Sequence, residues 1–184
     1  MSERPRLVNI TMVRRHLTRF LRCAPPAPYS IRLFREGDER AFDEIWLAAD
    51  TDGQAERGLF EREFGAKIEH IPERMFFAVD EGGEPAGTAT AWFNDDWNGG
   101  RWGHVHWVAV KPEHQGRGLA RALMSRVMEQ LAALGHDRAY LVTQTVRLRA
   151  VGLYLSFGFE PFIKTPEDQF HWQEVREGLG GMAR

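Results

Sequence analysis

Val108-Ala109-Val110-Lys111-Pro112-Glu113-His114-Gln115-Gly116-Arg117-Gly118-Leu119-Ala120 passes from a β-branched run through a proline into a basic loop punctuated by two glycines. The physical sense of that order is anion capture. A helix start leaves its first backbone N–H groups without intrahelical partners and carries partial positive charge, so phosphate oxygens are natural guests there. Glycine removes the side chain where such oxygens would have to meet the backbone, and Arg117 adds a cation. No Gly-Lys-Ser/Thr follows, which excludes a Walker loop, and no third glycine stands where a dinucleotide fingerprint needs one. Glycines of this kind also serve any sharp strand-to-helix turn, so the loop needs a second signal before it carries a function.

Working outward, Leu119, Leu123, Val127, Leu131 and Leu134 fall on one face of a predicted helix, and Gly135 stands where a helix C-terminal glycine belongs. Trp102–Val110 is the strand that feeds the loop. Met75–Asp80 and Ala86–Phe93 form a predicted hairpin across Glu81-Gly82-Gly83-Glu84. Tyr29–Arg35 alternates polar and apolar residues as a half-buried strand does. Asp38 caps a predicted helix running to Asp50, with Phe42, Ile45 and Trp46 at helical spacing, and a second helix is predicted over Gly58–Ile68. Downstream come a strand over Arg138–Thr143 and a helix over Arg149–Phe157. That helix carries Ala150, Leu153, Tyr154 and Phe157 on one face, and Gly158 stops it. Phe159–Ile163 reads as a strand, and Thr165-Pro166-Glu167-Asp168 as the capped start of a terminal helix to about Leu179. The alternation predicts one α/β layer structure around a mixed sheet.

With 184 residues, 43% hydrophobic and 27% charged, the chain has the size and composition of a single soluble domain. A formal net charge of −2 gives no general attraction to nucleic acid or to an anionic membrane. No apolar run approaches the length of a membrane span. The lone Cys23 cannot close an internal disulfide, which suits a reducing, cytoplasmic setting. The first 28 residues differ from the rest: Arg4, Arg6, Arg14, Arg15, Arg19 and Arg22 stand against a single acid, Glu3. Leu17, Phe20 and Leu21 would line one face of a short helix, ended by Ala24-Pro25-Pro26-Ala27-Pro28. Arginines interrupt every apolar patch, unlike a secretory signal. The expectation is a flexible basic extension over 1–28 and one domain over 29–184.

Ala150-Val151-Gly152-Leu153-Tyr154-Leu155-Ser156-Phe157-Gly158-Phe159 supplies the second signal. The glycine loop resembles the pyrophosphate-binding signature (Gln/Arg)-x-x-Gly-x-(Gly/Ala) of the GNAT superfamily of acetyl-CoA-dependent acetyltransferases, with Gln115, Gly118 and Ala120 at its fixed positions. The later segment resembles that family's second motif, Asn-x-x-Ala-x-x-Leu-Tyr-x-x-x-Gly-Phe. Ala150, Leu153, Tyr154, Gly158 and Phe159 match it, and Arg147 stands where asparagine is usual. The resemblance covers about Ser30 to Ile163. It implies a GNAT-like acyl-CoA N-acyltransferase fold: a mixed, mostly antiparallel central sheet flanked by helices, whose central strands splay apart. Here those strands are Trp102–Val110 and Arg138–Thr143. It also implies that backbone groups of Val108 and Val110 meet the pantetheine arm of acetyl-CoA, while Gln115, Gly116, Arg117, Gly118, Leu119 and Ala120 surround the pyrophosphate.

Acetyl transfer from a thioester asks a protein to set an amine against the carbonyl, remove its proton and stabilise the developing oxyanion. The resemblance makes Tyr154 the acid. A free tyrosine has pKa about 10, so it keeps its proton at neutral pH and can give it to a leaving thiolate. His104 and His106 lie two apart on one strand and so share a face. His-Val-His-Trp-Val-Ala-Val resembles the corresponding strand of arylalkylamine N-acetyltransferases, where a His-x-His pair relays the amine proton. An imidazole pKa near 6.5 suits that task, and which histidine is the base stays open. A histidine bonding a core carbonyl would explain either one alone. No third ligand stands at metal spacing, so no metal is expected. Trp92, Phe93, Trp97, Trp102 and Trp107, with Asp95 and Asp96, would wall a pocket for a cationic amine with an apolar body. Taken singly they read as core and turn residues, and in a regular strand Trp107 points away from the histidines.

Two classes of function are compatible with these features. The first is an enzyme that moves an acetyl group from acetyl-CoA to a primary amine, by direct attack in a ternary complex. Its acceptor is a small molecule or a peptide, with no nucleic-acid or membrane partner, and a homodimer is compatible with it. The second is a non-catalytic acyl-CoA-binding regulatory module, which would keep the loop but has no need of Tyr154 and the histidine pair. The acceptor is not written in the sequence, because the predicted terminal helix replaces the last strand that often closes the family's acceptor site.

Overall fold

Met75-Phe76-Phe77-Ala78-Val79 is apolar at every position and forms a strand whose side chains are all buried. A strand sends successive side chains to opposite faces, so a continuous apolar run marks a sheet covered on both sides. The computed structural model, which describes residues 7–50 and 55–182, bears this out. Met75, Phe77 and Val79 pack with Phe42, Ile45, Trp46, Leu59, Phe60 and Phe64 on one face. Phe76 and Ala78 pack with Leu119, Leu123, Val127 and Leu131 on the other.

The elements run β1 (Asn9–Arg14), β2 (Ser30–Leu33), α1 (Glu39–Ala49), α2 (Leu59–Phe64), β3 (Met75–Val79), β4 (Pro85–Asn94), β5 (Trp102–Val110), α3 (Leu119–Ala133), β6 (Ala139–Gln144), α4 (Leu148–Ser156), β7 (Glu160–Pro161) and α5 (Pro166–Met182). The seven strands form one sheet in the order β2-β3-β4-β5-β6-β1-β7. Every neighbouring pair is antiparallel except β5 and β6, which run parallel. That pair is in register only at Gly103↔Ala139 and His104↔Tyr140 and then separates. The sheet therefore opens along its middle toward the C-terminal ends of β5 and β6, as the expected splaying of these strands required. α3 closes one face tightly. A Cβ on Gly103 would stand 2.9 Å from Leu131 Cδ2, so glycine is what admits the helix there.

Within the first 28 residues, 9–14 are not a loose extension but a strand of the sheet. Asn9–Arg14 is an interior strand, antiparallel to β6 on one side and to β7 on the other, and Met12 and Val13 are wholly buried. The flanking arginines masked a short apolar run, Ile10-Thr11-Met12-Val13; Arg14 donates to the Phe157 and Arg19 carbonyls, and the exposed Arg15 pairs with Glu160 at 2.8 Å. No helix follows. Leu17 is buried and its N–H donates to Asp137 O at 2.8 Å. The Cys23 N–H donates to Ser125 Oγ at 2.8 Å, fastening the segment along α3. The domain thus begins well before Tyr29; Glu3, Arg4 and Arg6 lie outside the described residues.

Smaller differences have local causes. The Asp38 carboxylate does not cap α1, because Arg32 holds both of its oxygens at 2.6 and 2.9 Å and ties β2 to the helix start. α2 stops at Phe64 and continues as 3₁₀ turns over Gly65–Glu73, which contain Pro72. β7 is only Glu160–Pro161, since Pro161 cannot donate to a ladder.

Candidate active site

The strand-to-helix loop is built as its glycines predict. Gly116 and Gly118 have φ of +74° and +87°, a left-handed conformation that L side chains rarely adopt, and a Cβ on either would meet open space. Gly118 is the N-cap of α3, so the first amides of that helix have no intrahelical partners. A cavity of about 620 Å³ opens here, lined by Val108, Val110, Gln115, Gly116, Gly118, Leu119 and Ala120. Two expected residues have other duties. The Gln115 Nε2 group donates to Val110 O at 2.9 Å, so it anchors the end of β5. Arg117 does not line the cavity; its guanidinium donates to Tyr29 Oη at 3.1 Å and to Glu113 O at 3.3 Å. The cations that do line it are Arg121 and Arg149, which no sequence motif singled out. Arg121 stands in the first turn of α3, and Arg149 in the first turn of α4.

A second cavity, of about 320 Å³, occupies the gap between β5 and β6 on the side of α1 and α2. His104 and His106 both line it, their ring centroids 4.2 Å apart, and His104 stacks on Tyr140 at 4.2 Å. Burial pushes the His104 imidazole down to about 3, and burial with the neighbouring His104 holds His106 well below the ordinary histidine range. Both rings are therefore neutral near pH 7. Trp107 joins them, against the expectation for a regular strand. Thr90 pairs with His106 but Thr88 pairs with Ala109, so two β5 residues oppose Ala89 in a bulge. Trp107 takes φ +51° in that bulge and turns its indole into the cavity, 4.7 Å from the Trp46 ring.

Tyr154 stands where the two cavities meet, lining both together with Val108 and Ala150. Its side chain is buried among the core residues of α4, and burial pushes its pKa up to about 12, with the charge of Arg147 pulling slightly the other way. The phenol is fully protonated at neutral pH. Arg147, the N-cap residue of α4, lines the smaller cavity and lies 3.7 Å from the carboxylate of Asp50.

The aromatic wall is made of other residues than those expected. Trp92 packs on Phe64 at 5.3 Å, within the α1–α2 layer. Phe93 lies under Lys67 and Arg74. Trp97 and Trp102 stack around Tyr140 and Phe162, on the far side of His104. Asp95 pairs with Arg101, and the Asp96 N–H donates to Asn94. Only Trp107 of that group reaches the cavity, where Trp46 and Leu59 complete the wall. Trp46 was legible as a core residue of α1; nothing in the sequence shows that its indole also borders a cavity. Among the described residues no group of three or more His, Cys, Asp or Glu could hold a metal ion, and no helix is long and apolar enough to cross a membrane.

The family model described as acetyltransferase (GNAT) family matches residues 66–159, just over half of the chain. An acetyltransferase of Pectobacterium atrosepticum is 27% identical over 130 residues, covering 71% of this chain and 86% of that protein. A mycothiol acetyltransferase of Beutenbergia cavernae is 31% identical over 144 residues, covering 75% of this chain and 48% of that protein. A GCN5-related N-acetyltransferase of Sphaerobacter thermophilus superposes with a TM-score of 0.62 at 27% identity, over 86% of this chain and 50% of that one. The chain thus spans about half the length of the latter two.

Proposed function

The chain belongs to the acetyltransferase (GNAT) family, and from that premise we propose that it moves the acetyl group of acetyl-CoA to a primary amine by direct attack in a ternary complex. The observation that carries the reading is Tyr154, one buried phenol bordering both cavities. On one side are left-handed glycines, helix amides without intrahelical partners and two arginines, a donor set suited to the phosphates of acetyl-CoA. On the other is a neutral imidazole pair beneath an indole wall, suited to an amine with an apolar body. A reaction that joins an acyl group from one cavity to an amine from the other needs a proton donor between them.

In this reading the backbone amides of Gly116 to Ala120, with Arg121 and Arg149, hold the pyrophosphate. The ends of β5 and β6 hold the pantetheine arm in their gap. The acceptor nitrogen bonds to the thioester carbonyl carbon, the carbon–sulfur bond breaks, and Tyr154 gives its hydroxyl proton to the departing thiolate. The proton released by nitrogen leaves through the histidines. Burial keeps His106 and His104 neutral, so each has a lone pair that can accept a hydrogen bond from the amine; burial also makes them weak bases, so the proton is handed on to water rather than kept. Tyr154 recovers its proton from the same solvent.

Free-thiol release from acetyl-CoA, followed across a panel of amines and peptides, tests this. Acceptor-dependent release that collapses in Tyr154→Phe is the expected result. Tight acetyl-CoA binding with no turnover on any acceptor would replace the proposal with a non-catalytic acyl-CoA-binding module.

A further inference from the structure

The loop between β5 and α3 carries one more ring, His114, beside the amides proposed to hold the pyrophosphate. His114 ends the single 3₁₀ turn Pro112–His114, and its N–H donates to Lys111 O at 2.9 Å, which fixes its backbone. It borders the larger cavity beside Gln115, Gly116, Arg121 and Arg149. The buried Tyr29 stands against it. Its phenol Oη lies 2.9 Å from Nδ1 of His114, and the two rings meet edge to face at 5.7 Å and 87°. The Arg117 Nη1 group donates to the same phenol oxygen at 3.1 Å. Tyr29 precedes β2 and is 85 positions from His114, so no short window of sequence shows the pair.

Counting protons decides which way this chain of bonds runs. A guanidinium has donors and no acceptor, so the Tyr29 oxygen accepts from Arg117. The phenol has one proton of its own to give, and Nδ1 of His114 is the acceptor within reach. The opposite tautomer of the uncharged ring would aim both the Arg117 N–H and an Nδ1–H at one oxygen, and the hydroxyl proton of a buried residue would lose its acceptor. The donors therefore align from Arg117 to Tyr29 to His114, which leaves the ring proton on Nε2. Resting on the reading of this cavity as the acetyl-CoA site, we infer that His114 donates its Nε2–H to a phosphate oxygen of acetyl-CoA, with Tyr29 and Arg117 as the positioning residues that set its tautomer. An N–H given to an oxyanion makes a charge-assisted bond, about twice as strong as one between neutral groups. The other tautomer would turn a lone pair toward the same oxygen and repel it. Arg117, which does not line the cavity, thus serves the anion through two other side chains.

Calorimetric affinity for acetyl-CoA tests this. His114→Leu removes the donor and is expected to weaken binding about tenfold, and His114→Gln, whose side-chain amide can bring an N–H to the same point, to restore most of it. Tyr29→Phe keeps the buried ring and removes only the hydroxyl. It is expected to cost about threefold alone and almost nothing in the His114→Leu background, because it acts through His114. Pieces of the ligand identify the phosphate. A His114→Leu loss that persists with acetyl-dephospho-CoA assigns the pyrophosphate, and one that disappears assigns the 3′-phosphate of the ribose. S-acetylpantetheine has no phosphate, so its binding in an NMR titration is expected to be the same in His114→Leu as in the unaltered protein. An equal loss with that ligand would make His114 a support for the loop alone and overturn the inference. Unchanged acetyl-CoA affinity in His114→Leu, or a Tyr29→Phe loss of one size with and without His114, would also overturn it while leaving acetyl transfer intact. No binding of acetyl-CoA by the unaltered protein would overturn the acetyl-transfer reading, and this inference with it.

Discussion

The two cavities that meet at Tyr154 are built in opposite ways. The larger one is mostly a local object: one strand end, one glycine turn and one helix start, contiguous from Val108 to Arg121, with α4 as its far wall. The smaller one is assembled from Asn9 at the chain's beginning, Trp46 and Asp50 at the end of α1, Leu59, the β5 bulge, the end of β6 and the start of α4. A local site is specified by turn chemistry that any short window displays. A dispersed site is specified by topology, and it inherits the stability of every element that contributes to it. Under the proposed acetyl transfer, the cofactor side could stay the same while acceptor choice changes, because the two cavities draw mostly on different residues.

Tyr154→Phe sharpens the comparison most, since the phenol belongs to both halves. Removing a positioned general acid typically costs about 10²- to 10⁴-fold in rate. The expected outcome is a fall in kcat of roughly that size with acetyl-CoA affinity nearly unchanged, measured by steady-state thiol release and by calorimetry. The phenyl ring keeps the packing and removes only the hydroxyl, whose proton burial holds in place by pushing the pKa up to about 12. Affinity and turnover that fell together would mean that Tyr154 holds the cofactor cavity in shape and donates nothing.

Met12→Ala asks whether the dispersed half depends on the N-terminal strand. Met12 is wholly buried between β6 and β7, and a methionine truncated in a packed core costs about 2–5 kcal/mol. Urea unfolding is expected to show a loss in that range. A dispensable extension would show almost none.

That residue also marks where the sequence was hardest to read. The hairpin, the β5 strand, the α3 stripe and the glycine loop were all legible, because each is encoded by spacing within a dozen residues or so. β1 was not, because Ile10-Thr11-Met12-Val13 is a weak four-residue signal set among arginines, and its partners lie more than a hundred positions away. The histidine pair was found from strand periodicity. The same periodicity misdirected Trp107, since a bulge adds one residue and reverses the facing of the residues beyond it. Arg147 was visible only as a departure from a motif, and its place beside Asp50 was not legible at all. Arg121 and Arg149 looked like ordinary surface cations until the fold brought α3 and α4 to one cavity.

Acid sensitivity separates the halves more gently. His104 titrates near 6.5 when unfolded and is pushed down to about 3 by burial in the native protein. Between those values the unfolded chain binds more protons, so stability is complete above about pH 6.5 and declines as the pH falls below it. For His104 alone the decline reaches about 2 kcal/mol by pH 5. His104→Gln is expected to lose that much less than the unaltered protein when denaturant unfolding is compared at pH 7.5 and pH 5. Equal losses in the two proteins would show that the imidazole is wet and ordinary. The relay role would then rest on a histidine near its free pKa, and kcat/KM would show an inflection close to pH 6.5.

Gly118→Ala carries the smallest effect and the finest distinction. At φ +87° an added Cβ costs about 1–2 kcal/mol in backbone strain. It meets no protein atom within 4 Å, so no clash adds to that cost in the free molecule. The open space it would enter is where the pyrophosphate is proposed to lie. If the loop is an anion cradle, the methyl group obstructs the ligand, and acetyl-CoA affinity falls about tenfold, or about 1.4 kcal/mol. That penalty arises on top of whatever stability the variant loses. If the glycines serve only the turn from β5 into α3, stability falls alone and affinity follows it no further than the folded fraction allows. Calorimetric affinity and unfolding free energy measured on the same variant therefore separate the two meanings of one glycine.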